Sequence, residues 1–183
     1  IKEHYLPNSL ESSVPIKPFS FGLSLTDKLD TLVGFFGINQ KPTSSKDPFA
    51  LRRAALGIIR LIIENKKNIR FRDLINYSLL LYQEQNFKFD NNSVQNDLSE
   101  FLLERLKYYM KEKGIRPDII NASLNINNIN NINEIYRKSF SLNKIINKEN
   151  GQDIISSYKR AANIIENELK DKNLELSETA DPG

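Results

Sequence analysis

The sequence has no cysteine and only one histidine, His4, among its 183 residues. Without cysteine, neither a disulfide framework nor a Cys-ligated zinc site is possible, and the reducing cytoplasm is a compatible location. A nucleophilic Ser-His-Asp system would have to use His4, at the end of the chain, and no segment resembles a nucleophile elbow. These absences argue against a nucleophilic hydrolase.

Glycine-rich phosphate loops and long apolar runs are also missing. Gly34 and Gly37 match neither G-x-G-x-x-G nor G-x-x-x-x-G-K-[ST], so ATP binding by this chain has no support. No apolar run reaches the roughly 18 to 20 residues that span a bilayer, and the first residues are not a signal peptide. We therefore expect a cytoplasmic chain without a membrane partner.

What is present is the composition of a globular protein, with 39% hydrophobic and 27% charged residues. The net charge of +3 permits contact with RNA but is too small to demand it. The chain opens without methionine, inside what looks like an amphipathic segment. We interpret it as a piece of a longer polypeptide.

The most apolar stretch predicts a buried central helix. Asp47 is suited to be its N-cap, and Pro48 has the fixed φ preferred at the first helical position. Beyond them, apolar side chains surround most of the helix. The predicted fold class is all-α, an irregular helical array around a central buried helix at about residues 48–64.

The few polar residues of this helix fall on one stripe at helical spacing: Arg53, Gly57, Arg60 and Glu64. A glycine between two arginines indicates that a backbone, a partner helix or a ligand comes close, and a helix crossing is favoured. A preceding helix, 19–36, carries an acidic stripe with Asp27 and Asp30. Because buried charges are seldom left unpaired, structural ion pairs are predicted among Asp27, Asp30, Arg53 and Arg60.

Helical periodicity continues to residue 169, interrupted by an asparagine-rich tract at 125–133 to which we assign no function. The final predicted helix, 153–169, has an apolar face that includes Tyr158 and Ile165. We predict three regions: 1–90 with the central helix, a second helical subregion at 91–170, and a flexible tail or linker at 171–183.

Several blocks of the chain match one known family in order. The most specific block is 26–38, Thr-Asp-Lys-Leu-Asp-Thr-Leu-Val-Gly-Phe-Phe-Gly-Ile, followed by Lys-Pro-Thr at 41–43 and by 47–53. Residues 1–7, 101–106 and 158–165 match further blocks. Together they closely resemble the β subunit of bacterial two-subunit (α2β2) glycyl-tRNA synthetase, and the resemblance covers nearly the whole chain.

The resemblance implies a role in protein biosynthesis as part of an aminoacyl-tRNA synthetase, glycine-tRNA ligase. In that enzyme the class II active site belongs to the α subunit, which uses ATP and Mg²⁺, while the β subunit supplies tRNA contacts. This chain would then hold no catalytic residue and no cofactor of its own. Its implied partners are tRNA(Gly), the α subunit and the remaining β-subunit domains.

Cations on rigid helices contact phosphates and fix register without reading bases. The candidates for tRNA contact are Arg52, Arg53, Arg60, Lys66, Lys67, Lys159 and Arg160. Arg52 sits about 100° away from the Arg53 and Arg60 stripe, so these residues cannot all serve one surface.

The middle region of the family is similar to the HD phosphohydrolase fold, so the chain should resemble part of an HD-domain-like fold plus following helices. His4 and Asp27 look like remnants of its metal-binding motifs, but one His and one Asp cannot hold a catalytic metal. Two alternatives stay open. One is a purely architectural interdomain region without RNA contact, and the less favoured one is a metal-dependent HD-type phosphohydrolase.

Overall fold

The computed structural model describes residues 3–43, 45–124, 131–148 and 151–178. Within these ranges it contains seven α-helices and no strand, which confirms the all-α prediction. The helices are α1 Pro18–Gly37, α2 Leu51–Glu64, α3 Phe71–Glu84, α4 Asn91–Glu112, α5 Pro117–Ser123, α6 Ile132–Ile146 and α7 Gly151–Glu178. None of these helices is both long and apolar enough to cross a membrane.

The contacts group the chain into two compact units, Ile1–Phe140 and Ser141–Gly183. In the first unit, α2 packs against both α1 and α4, and α3 joins the same two helices. Ala55, Ile58, Ile59, Leu61 and Ile62 of α2 are completely buried. Because burying one isoleucine side chain stabilises a fold by roughly 1.5 to 3 kcal/mol, α2 is the energetic centre of this unit. The central helix is therefore confirmed, whereas the division at residues 90 and 170 stays a prediction.

The central helix begins later than its sequence predicts. Asp47 does cap it, because its carboxylate accepts the backbone N–H groups of Leu51 at 2.8 Å and Arg52 at 3.0 Å. However, Pro48 lies in a turn ahead of the helix, and Ala50 occupies the N-cap position with φ 54°. The helix therefore starts at Leu51 rather than residue 48, since the Asp47 side chain reaches across the turn.

The first four helices end in the same way. In each, the residue after the C-cap has positive φ: Asn39 58°, Lys66 54°, Asn86 68° and Gly114 74°. At the end of α2, Lys66 N–H donates to the Ile63 carbonyl at 3.0 Å and Lys67 N–H to the Ile62 carbonyl at 2.9 Å, a Schellman motif. Among these four positions, Lys66 alone is neither glycine nor asparagine, the residues that adopt this conformation most easily.

The last helix, α7, differs from its prediction in length and in exposure. It begins at Gly151, two residues before the predicted start, and runs to Glu178 instead of ending at residue 169. Residues 171–178, predicted as tail or linker, are thus helical, and 179–183 lie outside the described residues. Tyr158 is 74% exposed and Ile165 59% exposed, so this part of the predicted apolar face is not buried.

Candidate nucleic-acid interface

Arg60 is an internal structural residue of the first unit. Its side chain is only 6% exposed, and its Nε donates to Glu64 Oε1 at 2.7 Å. The same guanidinium donates to the carbonyls of Ser9 and Ser12, the latter at 2.7 Å. Arg60 therefore fastens the N-terminal loop to α2 and has no face left for RNA.

The predicted pairing of Arg53 and Arg60 with Asp27 and Asp30 does not occur among the ion pairs of the described residues. Glu64, one turn along the same helix, provides the carboxylate for Arg60, and the loop carbonyls take its remaining donors. The Asp30 carbonyl instead accepts the Tyr82 hydroxyl at 3.2 Å. Burial, together with a hydrogen bond and charge from Asp30, raises the pKa of Tyr82 to about 12.

A buried lysine, Lys28, lies beside His4 and Asp27, the two residues that the sequence analysis compared with HD-type metal-binding motifs. Lys28 Nζ donates to the carbonyls of His4 and Leu6, both at 3.2 Å, and to Ser24 Oγ at 3.0 Å. Burial lowers the pKa of Lys28, while the Asp27 carboxylate opposes that change. The described ranges contain no group of three or more His, Cys, Asp and Glu residues that could hold a metal. The lysine ammonium thus ties the segment around His4 to α1.

Gly57 confirms that another part of the chain approaches α2 closely. A Cβ added there would lie 2.7 Å from Lys28 Cε and 3.2 Å from the Pro7 carbonyl oxygen. The approaching groups are the Lys28 side chain of α1 and the backbone of the N-terminal segment.

Arg53 stands on the same stripe as Arg60 but is exposed. It lines an open cleft of about 390 Å³ between α2, α4 and the N-terminal loop, which we call the arginine cleft. The lining residues are Asn8, Ser9, Arg52, Arg53, Leu56, Arg105 and Tyr108. None of them carries a carboxylate, so this set of donors suits an oxyanion and not a metal ion.

Arg105 and Tyr108 were not among the residues proposed from the sequence. Arg105 Nε is buried and has no hydrogen-bond partner. Its guanidinium carbon lies 6.0 Å from the ring centroids of both Phe101 and Tyr108. The available sequence signal was that Arg105 recurs at the spacing of the apolar residues of α4, where a cation needs an explanation.

The other candidate cations lie apart from one another. The Arg52 guanidinium donates to the Thr43 carbonyl at the start of α2. Lys66 and Lys67 are exposed past the end of α2, about 20 Å away along the helix, and Lys67 Nζ is 5.9 Å from the Phe21 ring centroid. Lys159 and Arg160 are exposed on α7 in the second unit. Contact of these residues with tRNA stays a prediction.

Comparison with known proteins identifies the family. The model of the family described as glycyl-tRNA synthetase beta subunit matches residues 1–125. The chain is 36% identical over 181 residues to the glycine–tRNA ligase beta subunit of Cereibacter sphaeroides, covering 99% of this chain and 26% of that protein. The corresponding protein of Rhodospirillum centenum is 37% identical over 177 residues, covering 97% and 24%.

These matches place the chain among the aminoacyl-tRNA synthetases. It belongs to the glycyl-tRNA synthetase beta subunit family, as the sequence blocks indicated. The chain spans about a quarter of the length of these relatives.

Proposed function

We propose that this chain is the part of a glycine–tRNA ligase beta subunit that helps to position tRNA for glycylation by the α subunit. The observation that carries the proposal is a set of exposed cations on rigid helices of a chain from this family, with Arg53 as its clearest member. Cations held in this way contact phosphates, and the shape of an A-form stem presents phosphates and 2′-hydroxyls to them. ATP and Mg²⁺ would be used by the whole enzyme through its α subunit.

The conformation of Lys66 supports the proposal. A left-handed backbone costs a residue other than glycine roughly 1 to 2 kcal/mol, and asparagine tolerates it better than lysine. Strain of this kind concentrates at functional sites. A lysine at this position therefore supports a role for its exposed charge.

The candidates for tRNA contact become fewer when the cations that bind other groups of the chain are excluded. Arg60 is consumed by Glu64 and the N-terminal loop, so its place in the proposal is to hold that loop. Arg52 is held by Thr43 but still lines the arginine cleft. The proposed contacts are then Arg53, Lys66 and Lys67 in the first unit, and Lys159 and Arg160 in the second.

The architectural role is the second candidate, because several cations are used internally. Lys28 and Arg60 both bind backbone carbonyls of the N-terminal segment. Lys41 Nζ also pairs with Asp97 Oδ2 at 2.5 Å, linking the connection before α2 to α4. If every candidate cation served only such contacts, the chain would connect domains without touching RNA.

Salt-dependent tRNA binding by the assembled two-subunit enzyme separates the two roles. One double variant carries Lys66→Gln and Lys67→Gln, and the other carries Lys159→Gln and Arg160→Gln. We would measure the tRNA affinity of each and of the wild type by fluorescence anisotropy between 50 and 200 mM salt. Each lost phosphate contact should lower the slope of log affinity against log salt by about 0.7 to 0.9. Arg72→Gln, which removes an exposed charge from α3, is the matched control. Wild-type affinity and slope in both double variants and in Arg53→Gln would establish the architectural role.

A further inference from the structure

We infer that the arginine cleft is a seat for one phosphate of the RNA backbone, held jointly by Arg53 of α2 and Arg105 of α4. The assignment rests on the proposed function, which supplies the RNA. It extends the proposed function by a defined phosphate site that includes a second helix, α4, and its residues Arg105 and Tyr108.

The charge balance of the cleft calls for an anion. Three arginines line it, together with the neutral donors of Asn8 and Ser9, and no lining residue offers a carboxylate. Within the described ranges, neither Arg53 nor Arg105 forms an ion pair. Like charges that line one cleft repel, and an oxyanion bound between them would be attracted to each of them.

Arg105 has an unused donor suited to phosphate. A buried donor left without a partner costs roughly 1 to 3 kcal/mol, so its Nε–H gains when an acceptor arrives. Nε and one terminal nitrogen of a guanidinium form a fork that matches two phosphate oxygens. The Tyr108 ring, which is 42% exposed, lines the same cleft, and its centroid lies 6.0 Å from the guanidinium carbon of Arg105. The Tyr108 hydroxyl is a further donor among the lining residues.

The walls of the cleft are fixed before any ligand arrives. Arg60 holds the Ser9 carbonyl, and Ser12 Oγ accepts the Asn8 N–H at 2.9 Å and the Ser9 N–H at 3.2 Å. The Asp47 cap fixes the first turn of α2, which carries Arg52 and Arg53. Groups held in place in this way lose little entropy when they bind.

The test uses the assembled two-subunit enzyme and tRNA(Gly) transcripts. Arg53→Gln, Arg105→Gln and their double variant should each weaken binding about tenfold, with the double variant far short of a hundredfold because both residues hold the same phosphate. Arg105→Lys keeps the charge but loses the fork, so affinity should fall while the salt slope stays. Arg72→Gln is again the matched control, and thermal unfolding of each variant checks folding.

Phosphorothioate interference locates the phosphate. We expect one backbone position at which sulfur substitution weakens binding to the wild type but not to Arg53→Gln or Arg105→Gln. Independent, multiplicative losses in the double variant, or an interference pattern identical in all three proteins, would overturn the assignment. A second measurement uses oligo-glutamate as a probe for an acidic peptide. If both cleft variants bind tRNA like the wild type but lose binding of oligo-glutamate, the cleft receives an acidic peptide and the assignment is overturned.

The proposed function can fail separately from this assignment. If the Lys66/Lys67 or Lys159/Arg160 variants weaken tRNA binding while the cleft variants do not, the cleft assignment falls and the proposed function stands. If no variant changes affinity or salt slope, both fall.

Discussion

Arg53 and Arg60 lie two helical turns apart on one stripe of α2, and their surroundings are opposite. Arg60 is 5% exposed and bound to Glu64 and two loop carbonyls. Arg53 is exposed and lines both the arginine cleft, which has no carboxylate, and a second cleft that Asp27 also lines. The N-terminal loop makes the difference, because it crosses the stripe at Arg60 and borders the cleft at Arg53. Periodicity fixes which side of a helix two residues share, while a distant segment decides what each of them can do.

The largest effect should come from removing the buried arginine. Arg60→Ala leaves the Ser9 and Ser12 carbonyls and the Glu64 carboxylate without their donor, so we expect a loss of about 3 kcal/mol in the free energy of unfolding. Arg53→Ala, the matched control, should change it by no more than about 0.5 kcal/mol. Urea denaturation monitored by circular dichroism measures the free energy of unfolding of both variants. Equal losses would contradict the contrast between the two ends of the stripe.

The middle of the stripe should respond next. In Gly57→Ala the new methyl meets Lys28 Cε and the Pro7 carbonyl, so the buried ammonium must shift away from its acceptors. We expect a net loss of about 1 to 2 kcal/mol in the free energy of unfolding, although at an unobstructed helix position alanine is more favourable than glycine by about 1 kcal/mol. Gly22→Ala in α1, where a Cβ meets nothing within 4 Å, should instead stabilise the chain. Thermal unfolding of the two variants would refute close packing at Gly57 if both gained stability.

A smaller effect, of the opposite sign, is expected just past the end of the stripe. Lys66→Gly relieves the left-handed strain and should stabilise the chain by about 0.5 to 1 kcal/mol, while weakening tRNA binding by the assembled enzyme. Lys66→Gln removes the charge but keeps the strain, so it should weaken binding without the gain in stability. Urea denaturation and anisotropy report the two properties separately. A loss of stability in Lys66→Gly would show that the strain is absent.

The smallest effect concerns the pH dependence of stability and the hydrogen bond from Tyr82 to Asp30, which pairs with neither arginine of the stripe. The pKa of Tyr82 is about 12 in the folded chain and near the ordinary value of 10 in the unfolded chain. The contribution of Tyr82 is therefore complete below pH 10 and declines as the pH rises towards 12. Tyr82→Phe should flatten this part of the alkaline decline in stability, as measured by urea denaturation at several pH values. Identical alkaline profiles for the two proteins would rule out this role of Tyr82.

The features that sequence reasoning recovered are those set by neighbouring residues. The apolar surface of α2 and its Asp47 cap depend on residues within a few turns, and both were predicted. The partners of Arg60 were missed because Ser9 and Ser12 lie 51 and 48 residues away in the chain. Lys28 and Arg105 were passed over for a related reason. Arg105 lies at a position where the helical pattern leads one to expect an apolar side chain. For both residues, only the neighbouring elements show why a cation is there.

The ammonium of Lys28 sets a limit on how far the chain could be shortened. A version that started beyond Leu6 would lose both carbonyl acceptors and retain only the Ser24 hydroxyl for a charge that is 6% exposed. The uncompensated charge would then draw water in beside Gly57, which would loosen the packing of α1 against α2. Residues 3–6 thus contribute to the interior through the carbonyls of His4 and Leu6, although none of their side chains is buried.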